Sequence, residues 1–181
     1  MRITMRDKNF AIKTHSGPTR LLKILLRLGL AKVIYTYCDP RDVLLSAIDH
    51  GKKIIAEGQN HTFAQMVDFD KAISNVKQWI SIWEDYSLMK NVMSVRYEDM
   101  MNDPAVMTEK ICKYLGLNIP QNDIDAILFK YDKNNKNADM RGLHFNKAKL
   151  ERYKEEFTAE QTAKSNAELG KSILKMGYEL A

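Results

Sequence analysis

Apolar positions along the chain fall into short clusters split by polar and turn-forming residues, and their spacing predicts an alternation of strands and helices. Phe10, Ala11 and Ile12 form a brief apolar run, so residues 9–14 read as a buried strand that His15-Ser16-Gly17-Pro18 then breaks. Pro18 with Thr19 opens a helix carrying Leu21, Leu22, Ile24, Leu25, Leu26 and Leu28, and Gly29 ends it. Residues 32–37, with Val33, Ile34 and Tyr35, give the strongest strand signal, because they are β-branched and aromatic and are punctuated by Asp39-Pro40. Asp39 suits a helix N-cap and Pro40 a first helical residue, so residues 41–50 read as helix, extending toward Glu57.

Beyond the loop at Gly58-Gln59-Asn60, residues 63–89 read as one long or broken helix, with Phe69, Ile73, Val76, Trp79, Ile80, Trp83 and Tyr86 near helical spacing. Residues 91–96 predict a third strand, and Asp103-Pro104 starts a helix over 105–115 that Gly116 terminates. A short helix follows over 124–131, then a polar loop over 132–142. Residues 150–157 and 159–176 are helical by pattern, the second capped by Thr158 with Gln161 three residues on. Strands alternating with helices imply a parallel α/β sheet, and only three strands are visible, which is thin for such a sheet. The chain reads as a single domain over residues 1–181.

Composition narrows the classes of function. The 181 residues are 45% hydrophobic and 28% charged, an ordinary globular balance that argues against disorder. No apolar run reaches the ~18–20 residues of a membrane span, and the N-terminal residues show no secretory pattern. Cys38 and Cys112 lie far apart in sequence, which fits free thiols and a cytoplasmic location better than a disulfide or a metal site. The formal net charge of +5 suits an anionic ligand, while the lysines are dispersed among acids rather than gathered into a nucleic-acid stripe.

In open parallel sheets, ligands sit beyond the C-terminal strand ends, where loops enter helix N-termini. Two segments meet that description here. One is Lys13-Thr14-His15-Ser16; the other is Cys38-Asp39-Pro40-Arg41-Asp42 with Ser46 one turn further. A helix N-terminus beside an arginine and a hydroxyl is suited to phosphate. His50, His61 and His144 have no metal-ligand spacing, and the methionines between Met89 and Met107 read as core packing.

These segments in this order resemble the sulfotransferases that use 3′-phosphoadenosine 5′-phosphosulfate (PAPS). Lys13-Thr14-His15 precedes Val33-Ile34-Tyr35 and Asp39-Pro40-Arg41-Asp42-Val43-Leu44-Leu45-Ser46, and Trp79 and Trp83 precede Val95-Arg96-Tyr97-Glu98-Asp99-Met100, similar to the family's Tyr-Glu-Asp-Leu segment. Lys113-Tyr114-Leu115-Gly116-Leu117, then Phe145-Asn146-Lys147-Ala148 with Arg152-Tyr153-Lys154, and finally Lys175-Met176-Gly177-Tyr178 continue the resemblance to the C-terminus. It implies a three-layer, P-loop-NTPase-like fold with a short parallel sheet flanked by helices. It also implies sulfuryl transfer from PAPS to a hydroxyl or amine of a small-molecule, carbohydrate or lipid acceptor, without a metal. Carried over, it makes His15 the general base and Lys13 the residue that neutralises the transferring group. Ser46, Arg41, Tyr97, Phe129, Lys147 and Asn146 become the nucleotide contacts.

The sequence also departs from the family. Residues 1–12 hold nothing like the Pro-Lys-Ser-Gly-Thr-Thr phosphate loop, so the first strand–loop–helix unit is expected to be missing. Cys38 stands where the family has an arginine, and Asn146-Lys147-Ala148 stands where it has Arg-Lys-Gly. The expectations are therefore an active sulfotransferase, half of a split enzyme completed by another chain, or a non-catalytic remnant that binds a partner. An unpaired strand edge would further predict a homodimer or a complementing chain.

Overall fold

The computed structural model describes residues 10–59, 61–132 and 149–181. Two five-residue strands, β1 (Val33–Tyr37) and β2 (Val92–Arg96), pair in parallel with Val33 opposite Val92 and Tyr37 opposite Arg96. They are the only strands among the described residues. The expected strand over 9–14 does not form: residues 10–15 lie outside any helix or sheet. An apolar run of that length becomes a strand only where a neighbour takes its N–H and C=O groups, and no described segment does so.

Side chains at paired positions of a parallel ladder point the same way, so Tyr35, Tyr37, Ser94 and Arg96 share one face and Ile34, Thr36, Met93 and Val95 the other. The first face lies against α3 (Phe69–Ser87): the Tyr35 ring is 5.1 Å from Tyr86 and the Tyr37 ring 5.7 Å from Trp83. On the second face Val95 is fully buried while Ile34 is partly open to solvent.

The helices follow their local signals. Thr19 caps α1 (Arg20–Arg27) by accepting from the Leu22 N–H, and Asp39 with Pro40 starts α2 (Pro40–Ala56). The long helix read from residue 63 is two elements, a 3-10 helix (Thr62–Val67) and α3. Asp68 separates them because its extended backbone frees its carboxylate to accept from the Lys71 N–H. Following β2 come α4 (Tyr97–Asn102), α5 (Pro104–Leu115) and α6 (Gln121–Lys130). Gly116 ends α5 at φ 76°, a conformation that glycine adopts without the strain a Cβ brings. Of the helix expected over 150–157, only the single turn α7 (Tyr153–Glu156) is present. By contrast α8 (Ala159–Lys175) has the full Thr158–Gln161 capping box.

The core joins α2, the 3-10 helix, α3 and α8, through residues that include Leu44, Ile48, Met66, Val76, Trp83 and Ile173. The packing of α2 on the 3-10 helix is close enough that a Cβ on Gly51 would sit 2.6 Å from the Phe63 carbonyl oxygen. No helix among the described residues is long and apolar enough to cross a membrane.

Candidate functional site

Because β1 and β2 run parallel and in register, they deliver Cys38-Asp39-Pro40 and Tyr97-Glu98 to the same end of the sheet. Glu98 links the two. Its Oε1 accepts from the Asp39 backbone N–H at 3.0 Å, and its Oε2 accepts from the Tyr178 hydroxyl at 2.9 Å. The Arg96 guanidinium lies over the Tyr178 ring at 4.3 Å and within 3.9 Å of the Glu98 carboxylate. Together Asp39, Arg96, Glu98, Asn102, Leu150, Glu151 and Tyr178 line a cleft of about 290 Å³.

The turn that enters α2 is filled largely by the chain's own groups, with Arg41 Nη1 the buried donor left without a partner. Asp39 Oδ1 accepts from the Arg41 backbone N–H at 2.9 Å, which caps the helix. The same carboxylate takes both arms of the Arg41 side chain, from Nε at 2.9 Å and from Nη2 at 2.6 Å. Arg41 Nη2 also donates to the Glu179 carbonyl, and the guanidinium lies 4.0 Å over the Tyr153 ring. Asp42 accepts backbone N–H groups from Glu151 at 2.7 Å and Tyr153 at 3.2 Å. Carboxylates thus hold the donors that a bound anion would otherwise use.

Electrostatics at the turn follow from that arrangement. Burial pushes the Cys38 thiol up to about 12, and the nearby charges of Glu98, Asp42 and Asp39 push it the same way. Asp42 is raised by burial despite the two backbone N–H groups that oppose the shift. Burial and then Glu98 raise Tyr178, with Arg96 acting against them. Tyr97, at the start of α4, is raised by burial and then by Cys38 and Glu98, which places it beside the end of β1. This corner of the molecule disfavours added negative charge.

The sequence-predicted residues are distributed unevenly around it. Lys13 and His15 lie in the irregular segment before α1, exposed and without a hydrogen-bond partner among the described residues. That segment is tied down next to them: Thr14 Oγ1 accepts from the Ser16 N–H at 3.1 Å, and the Tyr86 hydroxyl donates to the Ser16 carbonyl at 3.1 Å. Ser46 is exposed in the second turn of α2, and Tyr97 is half-buried beside Cys38. Phe129 stands on α6 with 71% of its surface open. Asn146 and Lys147 lie outside the described residues. Arg41 departs from the expectation that it faces a nucleotide phosphate: it is 1% exposed, because Asp39, Tyr153 and Glu179 draw it inward.

That Glu98 and Arg96 form a joint network with Tyr178, about 80 residues on, is not legible in the sequence. An acid two residues beyond a predicted strand is the available signal. Among the described residues, no cluster of His, Cys, Asp and Glu side chains is arranged to hold a metal ion.

Comparison with known proteins assigns the chain to a family. The family model for the sulfotransferase domain matches residues 2–176. A 3-beta-hydroxysteroid sulfotransferase of Cavia porcellus is 30% identical over 141 residues, covering 71% of this chain and 48% of that protein. Sulfotransferase 2A2 of Rattus norvegicus is 28% identical over 125 residues, covering 65% of this chain and 42% of that protein. The chain therefore spans about half the length of the curated relatives it matches. The crystal structure of mouse sulfotransferase SULT7A1 complexed with PAP superposes with a TM-score of 0.62 at 19% identity, over 83% of this chain and 60% of that one, which shows a shared fold. By its sequence match and by its short parallel sheet flanked by helices, this chain belongs to the sulfotransferase domain family.

Proposed function

We propose that the chain takes part in sulfuryl transfer from PAPS to a hydroxyl of a small-molecule, carbohydrate or lipid acceptor, in the cytoplasm. The supporting observation is the anchored segment before α1: Ser16 is held to α3 by Tyr86, while Lys13 and His15 beside it are exposed and have no partner among the described residues. In this reading an imidazole nitrogen of His15 takes the acceptor's proton as the acceptor oxygen bonds to sulfur. The bond between sulfur and the 5′-phosphate oxygen breaks, and the nucleotide leaves with the electron pair. Lys13 neutralises charge building on the sulfuryl oxygens and the leaving phosphate. Tyr97 and Phe129 are assigned to the adenine, and Ser46, Asn146 and Lys147 to the 3′-phosphate.

The residues at the end of β1 fit the 3′-phosphate poorly. The cation nearest the turn, Arg41, is committed to Asp39, and Cys38 lies among carboxylates. Binding of that phosphate is therefore expected to be weak, resting on the hydroxyl of Ser46 and on Lys147. Calorimetric titration with 3′-phosphoadenosine 5′-phosphate and with adenosine 5′-phosphate tests this directly. The expected result is at most about a tenfold preference for the bisphosphate, lost in Ser46→Ala and raised in Cys38→Arg, since one charged phosphate contact is worth about 1.5–3 kcal/mol. With labelled PAPS and a panel of hydroxylated acceptors, His15→Ala should lower transfer about 10²–10⁴-fold and leave nucleotide affinity unchanged. Absence of heat with either nucleotide, in the wild type and in Cys38→Arg alike, would refute the reading.

A further inference from the structure

Away from the strand ends, α1 and the turn that joins α3 to β2 form a second surface. Lys23, Arg27, Leu88, Met89 and Lys90 line a cleft of about 400 Å³ there, and no carboxylate among the described residues lines it. Helix α1 itself, Arg20-Leu21-Leu22-Lys23-Ile24-Leu25-Leu26-Arg27, carries three cations and no acid. None of Arg20, Lys23, Arg27 and Lys90 is paired with a carboxylate among the described residues, whereas Lys77 pairs with Glu168 and Lys175 with Glu84.

The apolar positions of α1 divide between two directions. At about 100° per residue, Leu22, Leu25 and Leu26 lie toward one side, and Leu26 is buried there. Leu21, Ile24 and Leu28 recur on another side, next to the arc that holds the cations, and all three are exposed. Leu88, 84% exposed, stands at the rim of the cationic cleft. The two parts are fixed to each other: Asn91, held at φ 58°, donates from Nδ2 to the Leu26 carbonyl at 2.8 Å, and its own carbonyl accepts from the Val33 N–H at 3.0 Å. The surface is thus preformed and joins exposed leucines to cations that pair with no carboxylate among the described residues.

We infer that this face, α1 together with Leu88–Lys90, docks the protein on an anionic lipid surface. The uniform positive charge selects this occupant, since a lipid headgroup layer supplies phosphates and carboxylates at many lateral positions and an acyl boundary for Leu21, Ile24 and Leu88. A second copy of the same chain offers like charge at the symmetry-related position, which a two-fold interface would bring together. The inference is independent of the catalytic reading and uses none of its residues.

Co-sedimentation with vesicles tests it, using phosphatidylcholine alone against phosphatidylcholine mixed with phosphatidylserine. The full chain should partition onto the mixed vesicles and not onto the neutral ones, and salt should weaken the binding. The double variant Lys23→Gln/Arg27→Gln should lower partitioning about 25-fold, at roughly fivefold per cation near an anionic surface. Leu21→Asp/Leu88→Asp, at two exposed positions, should lower it as well, with circular dichroism as the check on folding. Absence of binding to the mixed vesicles overturns the proposal. So does equal binding to neutral and anionic vesicles. Concentration-dependent dimerisation in sedimentation velocity that Leu21→Asp/Leu88→Asp abolishes also overturns it, because the face would then be covered by a second copy.

Discussion

At the scale of single residues, Arg41 sets the character of the turn at the end of β1. A guanidinium with 1% exposure needs its charge met, and Asp39, the Glu179 carbonyl and the Tyr153 ring meet it through Nε, Nη2 and the ring face, while Nη1 is buried without a hydrogen-bond partner. Removing it strands the Asp39 carboxylate, itself buried, without its counter-charge. Arg41→Ala is therefore expected to destabilise the fold by about 3–5 kcal/mol, and Arg41→Lys by less, because lysine keeps the charge and loses the two-armed geometry. Urea unfolding measures both, and a change in Arg41→Ala below about 1 kcal/mol would show that the pair contributes little. Asp39 as a cap and Pro40 as a first helical residue were legible in the sequence, since capping is local. The inward direction of Arg41 was not, because the groups that draw it in lie 112 residues on at Tyr153 and 138 residues on at Glu179.

At the scale of elements, the same division between local and distant causes recurs. Strand β1, helix α2, Gly116 and the Thr158 capping box fall where their residues predict, each decided within a few positions. The run from Phe10 to Ile12 has the composition of a strand and does not become one, for a strand needs a partner ladder that composition cannot supply. The long helix read across 63–89 divides at Asp68, where a side chain competes for the backbone donor of Lys71. Immediately before that break the 3-10 helix leans on α2 at Gly51, a contact invisible in the sequence because Gly51 reads only as a weak point in a helix. With a Cβ there 2.6 Å from the Phe63 carbonyl oxygen and 3.2 Å from the Val67 nitrogen, both of them backbone atoms, the two elements must move apart to admit alanine. Gly51→Ala should thus destabilise by about 1–3 kcal/mol, although alanine favours helix elsewhere. A thermal midpoint at or above the wild-type value would show that the contact is looser than this geometry.

For the whole molecule, the distribution of buried apolar side chains sets an order of local stability. The core cluster draws on α2, the 3-10 helix, α3 and α8, and neither α5 nor α6 contributes to it. Those two helices pack chiefly against α4 and each other, with one buried residue apiece, Met107 and Ile124. Tyr114 of α5 ties this pair toward β1 through polar contacts, one exposed and one half-buried: Lys32 Nζ donates to the Tyr114 carbonyl at 2.6 Å, and the Tyr114 hydroxyl donates to the Val33 carbonyl at 3.2 Å. Each fully buried aliphatic side chain contributes about 1.5–3 kcal/mol, so a pair of helices holding one such residue each opens well below the energy needed to unfold α3, which buries six residues. Native-state hydrogen exchange should show the amides of α5 and α6 exchanging through a sub-global opening at least about 2 kcal/mol below the exchange of α3 and α8. Because Phe129 stands on α6, nucleotide that engages it should slow exchange in α5 and α6 selectively. Protection of α6 equal to that of α3 without nucleotide would mean that these helices share the core's cooperativity. Slowing confined to α2 would take Phe129 out of the nucleotide site.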